Sequence, residues 1–215
     1  GQDMPKIYNG FGIDKAIFWR GMPTEKSSRY FYWTSDDESK VLVANLRNGY
    51  PVGVDLIESD DYVALLRKIS SDTDVSNLVL PVGGDQRPVD FNLKQRIAAA
   101  NQSQSEYYLY ESTYPEYFKA LAKEKNLQTY QGEFVDPSTS KIHREIYSSR
   151  ADLKQLYDHI ERLMIYEVEP LMAIAQYHGI ETKTGLLAEI WKTVARGQAH
   201  DSSGGCNSDE TNRDN

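Results

Sequence analysis

The 215-residue chain has a single cysteine, Cys206, so an internal disulfide is excluded. It carries only 24 Lys and Arg against 32 Asp and Glu, for a formal net charge of −8 and a pI near 5.1. A nucleic-acid binder needs a basic face to displace counterions from phosphate, and no Lys/Arg cluster of that kind is present. The same sign of charge disfavours anionic membrane surfaces. No apolar run approaches the roughly 20 residues that span a bilayer, and no signal-like segment is visible at the start. A P-loop, a dinucleotide glycine fingerprint and a Ser/His/Asp nucleophile system are also absent. Nucleic acid and membrane are therefore not expected as partners. A lone thiol fits a reducing compartment, which makes the cytoplasm the expected location.

What is present suffices for a packed fold. Hydrophobic residues make up 40% and aromatics 11%, with 15 Tyr against 6 Phe. Tyr combines an apolar ring with a hydroxyl, which suits wet clefts such as sugar sites, and equally suits a half-exposed core. Ala16-Ile17-Phe18-Trp19 reads as a buried strand that ends at Arg20-Gly21. Tyr30-Phe31-Tyr32-Trp33-Thr34 and residues 40–46 flank a polar turn and read as a hairpin. Residues 61–69, 91–101 and 115–125 have helical spacing. Leu78-Val79-Leu80-Pro81-Val82 and Tyr107-Tyr108-Leu109-Tyr110 read as further strands. Strands alternating with helices predict an α/β domain, layered or barrel-like, with a largely parallel sheet.

The texture changes near Ser148. From Arg150 to about Tyr177 apolar residues recur at steps of three and four, which predicts a long amphipathic helix interrupted at Pro170 and stopped near Gly179. A second helix is expected over 184–197, with Leu186, Leu187, Ile190, Trp191 and Val194 buried. The two would form an antiparallel pair, the start of a helical bundle. The expected division is 1–147 and 148–215. The chain opens at Gly1-Gln2-Asp3 without an initiator Met and closes on a polar run, so both ends read as cuts within a longer protein.

Three places suggest chemistry. Gly83-Gly84-Asp85-Gln86-Arg87 follows an apolar run, and in α/β folds catalytic side chains gather where strands hand over to loops. The alternative there is an ordinary turn whose carboxylate caps a nearby N–H. Ala199-His200-Asp201-Ser202-Ser203-Gly204-Gly205-Cys206 reads as a small-residue loop that can present an imidazole and a carboxylate, one a zinc donor and the other a sugar or metal-shell contact. Its alternative is a polar, Gly-capped helix exit. Cys206 there reads as a small buried hydrophobe. Phe18-Trp19-Arg20-Gly21 could stack on a sugar and bond its hydroxyls, or be a core aromatic beside a surface cation. His143, His159 and His178 lack ligand spacing and read as structural.

Taken in order, these pieces resemble the α-mannosidases of glycoside hydrolase family 38. Residues 1–14, with Met4-Pro5 and Gly10-Phe11-Gly12-Ile13, are similar to the segment just after that family's nucleophile motif. Phe18-Trp19-Arg20-Gly21 follows at the family's distance. Gly84-Asp85-Gln86-Arg87 resembles the loop holding the acid/base carboxylate, and residues 142–150 resemble the entry to the helical bundle. The most specific likeness is Gln198-Ala199-His200-Asp201-Ser202-Ser203-Gly204-Gly205-Cys206-Asn207-Ser208-Asp209, which resembles the bacterial His-Asp motif of the subgroup containing mannosylglycerate hydrolases.

The resemblance implies an internal fragment of a zinc-dependent retaining α-mannosidase acting on a small or oligosaccharide α-mannoside. Asp85 would be the general acid/base, His200 a zinc ligand, and Asp201, Trp19 and Arg20 substrate contacts. The nucleophile, itself a zinc ligand, would be an Asp three residues before Gly1, and the remaining zinc ligands would lie further upstream. Alone, the chain is then expected neither to hydrolyse mannosides nor to bind zinc tightly. The resemblance leaves homo-oligomerisation of the full-length protein open. Two other readings are a non-catalytic sugar-binding relative and a metal-dependent polysaccharide deacetylase-like hydrolase.

Overall fold

The computed structural model describes residues 1–23, 28–59 and 61–214. The chain divides into two compact units, Gly1–Ile142 and His143–Asn215. In the first, α1 (Met4–Gly10), β1 (Lys15–Phe18), β2 (Tyr30–Thr34) and β3 (Lys40–Asn45) are followed by helices α2 (Val52–Glu58), α3 (Tyr62–Ser70), α4 (Leu93–Ser103) and α5 (Tyr114–Leu121), then by β4 (Gln128–Gln131).

The four strands form an open sheet in the order β1-β3-β2-β4. The expected hairpin is there: β2 and β3 run antiparallel, with Phe31 opposite Val43. The expectation of a largely parallel sheet needs correction, because this hairpin sits at the centre while β1 joins β3 and β4 joins β2 in parallel. The sheet is mixed. Both its faces are covered, which explains the unbroken apolar runs in β2 and β3. Tyr30, Leu42 and Ala44 pack against Tyr117, Phe118 and Leu121 on one face. Phe31, Trp33, Val41 and Val43 pack with Met22 on the other, against Met4, Tyr8 and Phe134. Period-two alternation divides the strand residues between these two cores.

Two expected strands are not strands. Among the described residues, 78–82 and 107–110 pair with no strand and belong to no sheet. Only some of their backbone groups are met: side chains bind Val79 N–H and both groups of Tyr107 and Leu109, and one helix N–H binds Pro81 C=O, so no ladder forms.

The second unit holds a 3₁₀ turn (Arg144–Tyr147) and helices α6 (Ala151–Leu163), α7 (Glu169–Tyr177), α8 (Thr184–Gly197), α9 (His200–Gly204) and α10 (Asp209–Asp214). The long helix is interrupted by a π-helical turn, Met164–Val168, ahead of Pro170 and not at it. Pro170 cannot donate to the carbonyl four residues back, and the widened turn accommodates that loss. Gly179 takes φ +73° and Ile180 N–H bonds back to Ala175, which ends α7. Helix α8 runs antiparallel to α6 and α7: Gly197 meets the Tyr157 ring, while Trp191 Nε1 donates to Glu169 Oε1 at 2.6 Å. Only part of the expected buried stripe is covered. Val194 is buried, Leu187, Ile190 and Trp191 are half-buried, and Leu186 is exposed. On α6 and α7, Leu156, Leu163, Leu171 and Ile174 are exposed too.

Candidate active site

Asp85 lies on a tight turn in which Arg87 N–H donates to Gly84 C=O at 3.3 Å. Gln86 takes φ +59°, a left-handed conformation that costs a non-glycine residue about 1–2 kcal/mol. The turn holds Asp85 exposed, and among the described residues its carboxylate has no hydrogen-bond or ion-pair partner. It does not cap a neighbouring N–H. The alternative reading of this Gly-Asp turn is therefore not what the carboxylate does.

The run leading to the turn is fastened to the core by groups that local pattern does not single out. Tyr30 Oη accepts from Val79 N–H at 3.4 Å, and Tyr117 Oη donates to Asn77 C=O at 3.3 Å. Burial pushes the phenols of both Tyr30 and Tyr117 above the usual range, so they remain neutral donors and acceptors. Gly53 N–H donates to Pro81 C=O at 2.8 Å. A Cβ on Gly53 would stand 2.5 Å from that oxygen, so only glycine lets α2 approach so closely.

Trp19 and Arg20 sit just past β1, in the same unit. Buried Asn45 donates through Nδ2 to the carbonyls of Phe18 (3.2 Å) and Trp19 (3.0 Å), which fixes this strand end. Gly21 follows at φ +90°, where a Cβ would meet Phe134 O at 2.5 Å. The half-buried Trp19 ring rests edge-on against Tyr50, 5.5 Å between centroids, and the Arg20 guanidinium lies 4.7 Å from the Trp19 centroid. The loop carrying Tyr50 is shared with the Asp85 turn: Gly49 abuts Trp19, and a Cβ on Gly84 would stand 3.7 Å from Pro51 Cβ. The structure thus places Trp19, Arg20 and Asp85 around one loop.

His200 and Asp201 belong to the second unit. The expected loop is a short helix, α9, closed by Gly205 at φ +79°. A Cβ there would meet Ser149 Oγ at 2.8 Å, while Ser149 Oγ itself donates to Gly205 C=O at 3.1 Å. Arg150 adds bonds to Asn207 C=O (2.9 Å) and Asp209 Oδ1 (2.8 Å). The His-Asp motif is thereby clasped to the start of α6. His200 Nε2 lies 3.4 Å from Asp201 Oδ1, and its side chain is 97% exposed.

Cys206 is exposed, not buried as its residue type suggested. Its thiol lies 3.4 Å from Asp201 Oδ1, and this hydrogen bond pushes its pKa up. In this arrangement the thiol is the donor and the carboxylate the acceptor, which favours the protonated form. Among the described residues no group of three or more His, Cys, Asp or Glu could hold a metal ion. The donor set fits one imidazole contribution, from His200, and does not by itself make a zinc site, which takes at least three protein ligands.

Comparisons with known proteins identify the family. Residues 1–134 match the family model described as the N-terminal domain of glycosyl hydrolases family 38, and residues 141–215 match the α-mannosidase middle domain. The chain belongs to glycosyl hydrolase family 38 and is α-mannosidase-like. A curated protein of Halalkalibacterium halodurans, provisionally named a mannosylglycerate hydrolase, is 26% identical over 98% of the chain. The crystal structure of an α-mannosidase from Enterococcus faecalis V583 superposes over 99% of the chain with a TM-score of 0.81 and 26% identity. A family 38 protein of Enterococcus faecalis shares the fold, with a TM-score of 0.68 over 99% of the chain at 24% identity, which is 23% of that protein's length. The chain spans 26% of the length of the Halalkalibacterium protein and of the first Enterococcus structure.

Proposed function

We propose that residues 1–215 carry part of the active site of a zinc-dependent, retaining α-mannosidase acting on terminal α-mannosides such as mannosylglycerate or α-mannosyl oligosaccharides. The observation that carries this reading is the end-to-end likeness to the Enterococcus faecalis α-mannosidase. In this reading 1–147 is the C-terminal portion of a barrel-like α/β catalytic domain, and 148–215 begins a helical bundle.

Asp85 is the general acid/base. An exposed carboxylate with no partner among the described residues, on a turn fastened to the core, can protonate the leaving oxygen and then take a proton from water. The partner nucleophile is a carboxylate outside this sequence, just before Gly1. Trp19 offers a ring to the apolar face of a sugar, Arg20 offers donors to its hydroxyls, and Asp201 accepts from hydroxyls beside the metal. His200 supplies one zinc ligand. Bound zinc would contribute a fixed positive charge that orients mannose hydroxyls. With one imidazole donor, the isolated chain neither retains zinc nor turns over mannosides.

The test is a graft of residues 1–215 in place of the matched quarter of the Enterococcus enzyme, assayed on an aryl α-mannoside. Asp85→Asn in that graft is expected to lower kcat/KM by about 10²–10⁴-fold. An unchanged rate would remove Asp85 from the chemistry. His200→Ala should lower bound zinc, and a first-formed product of inverted configuration would exclude the retaining route.

A further inference from the structure

His200 and Asp201 occupy a helix, α9, of only five residues. Helices that short gain too few internal hydrogen bonds to hold a direction unaided. The imidazole has little else to fix it: its side chain is 97% exposed, and among the described residues its polar contact is Asp201 Oδ1 at 3.4 Å. The direction in which both side chains leave the fold is therefore set by the backbone at the ends of α9. At its exit, Gly205 N–H and Cys206 N–H both donate to Asp201 C=O at 3.1 Å. The stretch from Gly205 to Asn207 is thus tied to Asp201 through its N–H groups.

The carbonyls of that stretch are held from the other side. Ser149 Oγ donates to Gly205 C=O at 3.1 Å, and Arg150 Nη2 donates to Asn207 C=O at 2.9 Å. The same Nη2 reaches Asp209 Oδ1 at 2.8 Å, but the Asp209 side chain is 89% exposed against 22% for Arg150. An ion pair with one partner in solvent adds little, so the bond to the carbonyl is the stronger restraint. Arg150 makes it from a left-handed backbone, φ +50° and ψ 53°, at the start of α6, where its own side chain caps no helix N–H. A non-glycine residue is strained there, and such strain persists only where surrounding contacts over-determine it. The guanidinium bonds to residues 207 and 209 are contacts of that kind.

We infer that Arg150 is a positioning residue for the candidate zinc ligand. Its guanidinium fixes the Asn207 carbonyl, the stretch from 205 to 207 fixes Asp201, and α9 then presents His200 and Asp201 in one direction. The inference rests on the reading of His200 as a zinc ligand. Arg150 acts through Asn207 and not by contact with sugar or metal.

Arg150→Gly separates the two contributions of this residue, since glycine relieves the left-handed strain while removing the guanidinium. In the 215-residue chain, hydrogen exchange at the Gly205 and Cys206 amides should accelerate about fivefold, the worth of one hydrogen bond, with α7 and β3 amides unchanged. In the graft into the Enterococcus enzyme, the same change should weaken zinc about tenfold, measured by chelator competition. Arg150→Lys, which keeps the charge and a donor, should recover part of both effects, and Asp209→Ala should leave both close to the unsubstituted protein. Unaltered exchange or unaltered zinc affinity in Arg150→Gly overturns the inference. Acceleration that extends to α7 overturns it as well, since the residue would then serve the whole unit. Asp209→Ala matching Arg150→Gly would do the same by moving the role to the exposed ion pair. A graft whose zinc is indifferent to His200→Ala overturns the zinc reading and this role with it. A graft that loses zinc with His200→Ala but not with Arg150→Gly overturns this role alone.

Discussion

The two units hold their candidate groups in opposite ways. In the first, Phe31, Val41, Val43 and Ala44 are fully buried, and the turn bearing Asp85 is tied to that core through Tyr30, Tyr117 and Gly53. In the second, the buried apolar side chains described are Tyr157, Met164 and Val194, while Leu171 and Ile174 face outward. There the His-Asp motif is held by polar clasps to Ser149 and Arg150. Burial stabilises in proportion to the area removed from water, whereas each half-buried hydrogen bond of the clasp adds only about 0.5–1.5 kcal/mol net. One unit is thus organised by its core and the other by its turns. The sharpest break in that contrast is Phe31→Ala, expected to cost about 3–5 kcal/mol. Ile174→Ala should cost well under about 1 kcal/mol. Urea unfolding followed by amide exchange in β3 and α7 measures both, and equal losses would erase the distinction.

A smaller effect tests whether the turns of the second unit really carry its order. Gly205→Ala places a Cβ at φ +79° and 2.8 Å from Ser149 Oγ. The backbone strain alone is about 1–2 kcal/mol. Exchange at α9 amides should accelerate roughly 5- to 30-fold, the factor that 1–2 kcal/mol implies, while β3 amides stay unchanged. Ser149→Ala in the same background should recover part of the loss, because it removes one obstacle and leaves the Ser149 carbonyl at 3.1 Å.

How much of this was legible in the sequence follows from whether the cause is local. The β2/β3 hairpin was legible, because two apolar runs flank a polar turn. Helix α8 was legible to both its ends, because Leu187, Ile190, Trp191 and Val194 mark one helical face. Residues 78–82 and 107–110 show the same apolar and aromatic patterns as true strands. Whether a ladder forms depends on what lies alongside, and Asn101 and Gln104 already occupy one edge. Pro170 correctly signalled a break, but the π turn falls before it because the lost hydrogen bond concerns the preceding turn. At the candidate site, Asp85, His200, Asp201, Trp19 and Arg20 could be named from motifs. Tyr30, Tyr117, Gly53, Asn45 and Ser149, which position them, could not. Each acts on residues 26 to 56 positions away or across separate elements, and no local pattern records that.

The smallest effect leaves stability aside and reads the clasped turn through its thiol. The hydrogen bond to Asp201 favours the protonated form of Cys206, so its pKa is raised. A raised thiol pKa means that this contact is present at low and neutral pH. It is lost as pH climbs through the folded-state pKa, the direction opposite to that of a paired carboxylate. Alkylation proceeds through the thiolate, so at pH 8 Cys206 should react a few-fold more slowly than a free cysteine peptide despite its exposure. Asp201→Asn removes the negative charge that disfavours ionisation and should raise the rate toward the peptide value. Equal rates in both proteins would mean that α9 does not hold Asp201 against Cys206 in solution. The geometry assigned to the neighbouring imidazole would fall with it, since His200 is placed by the same short helix.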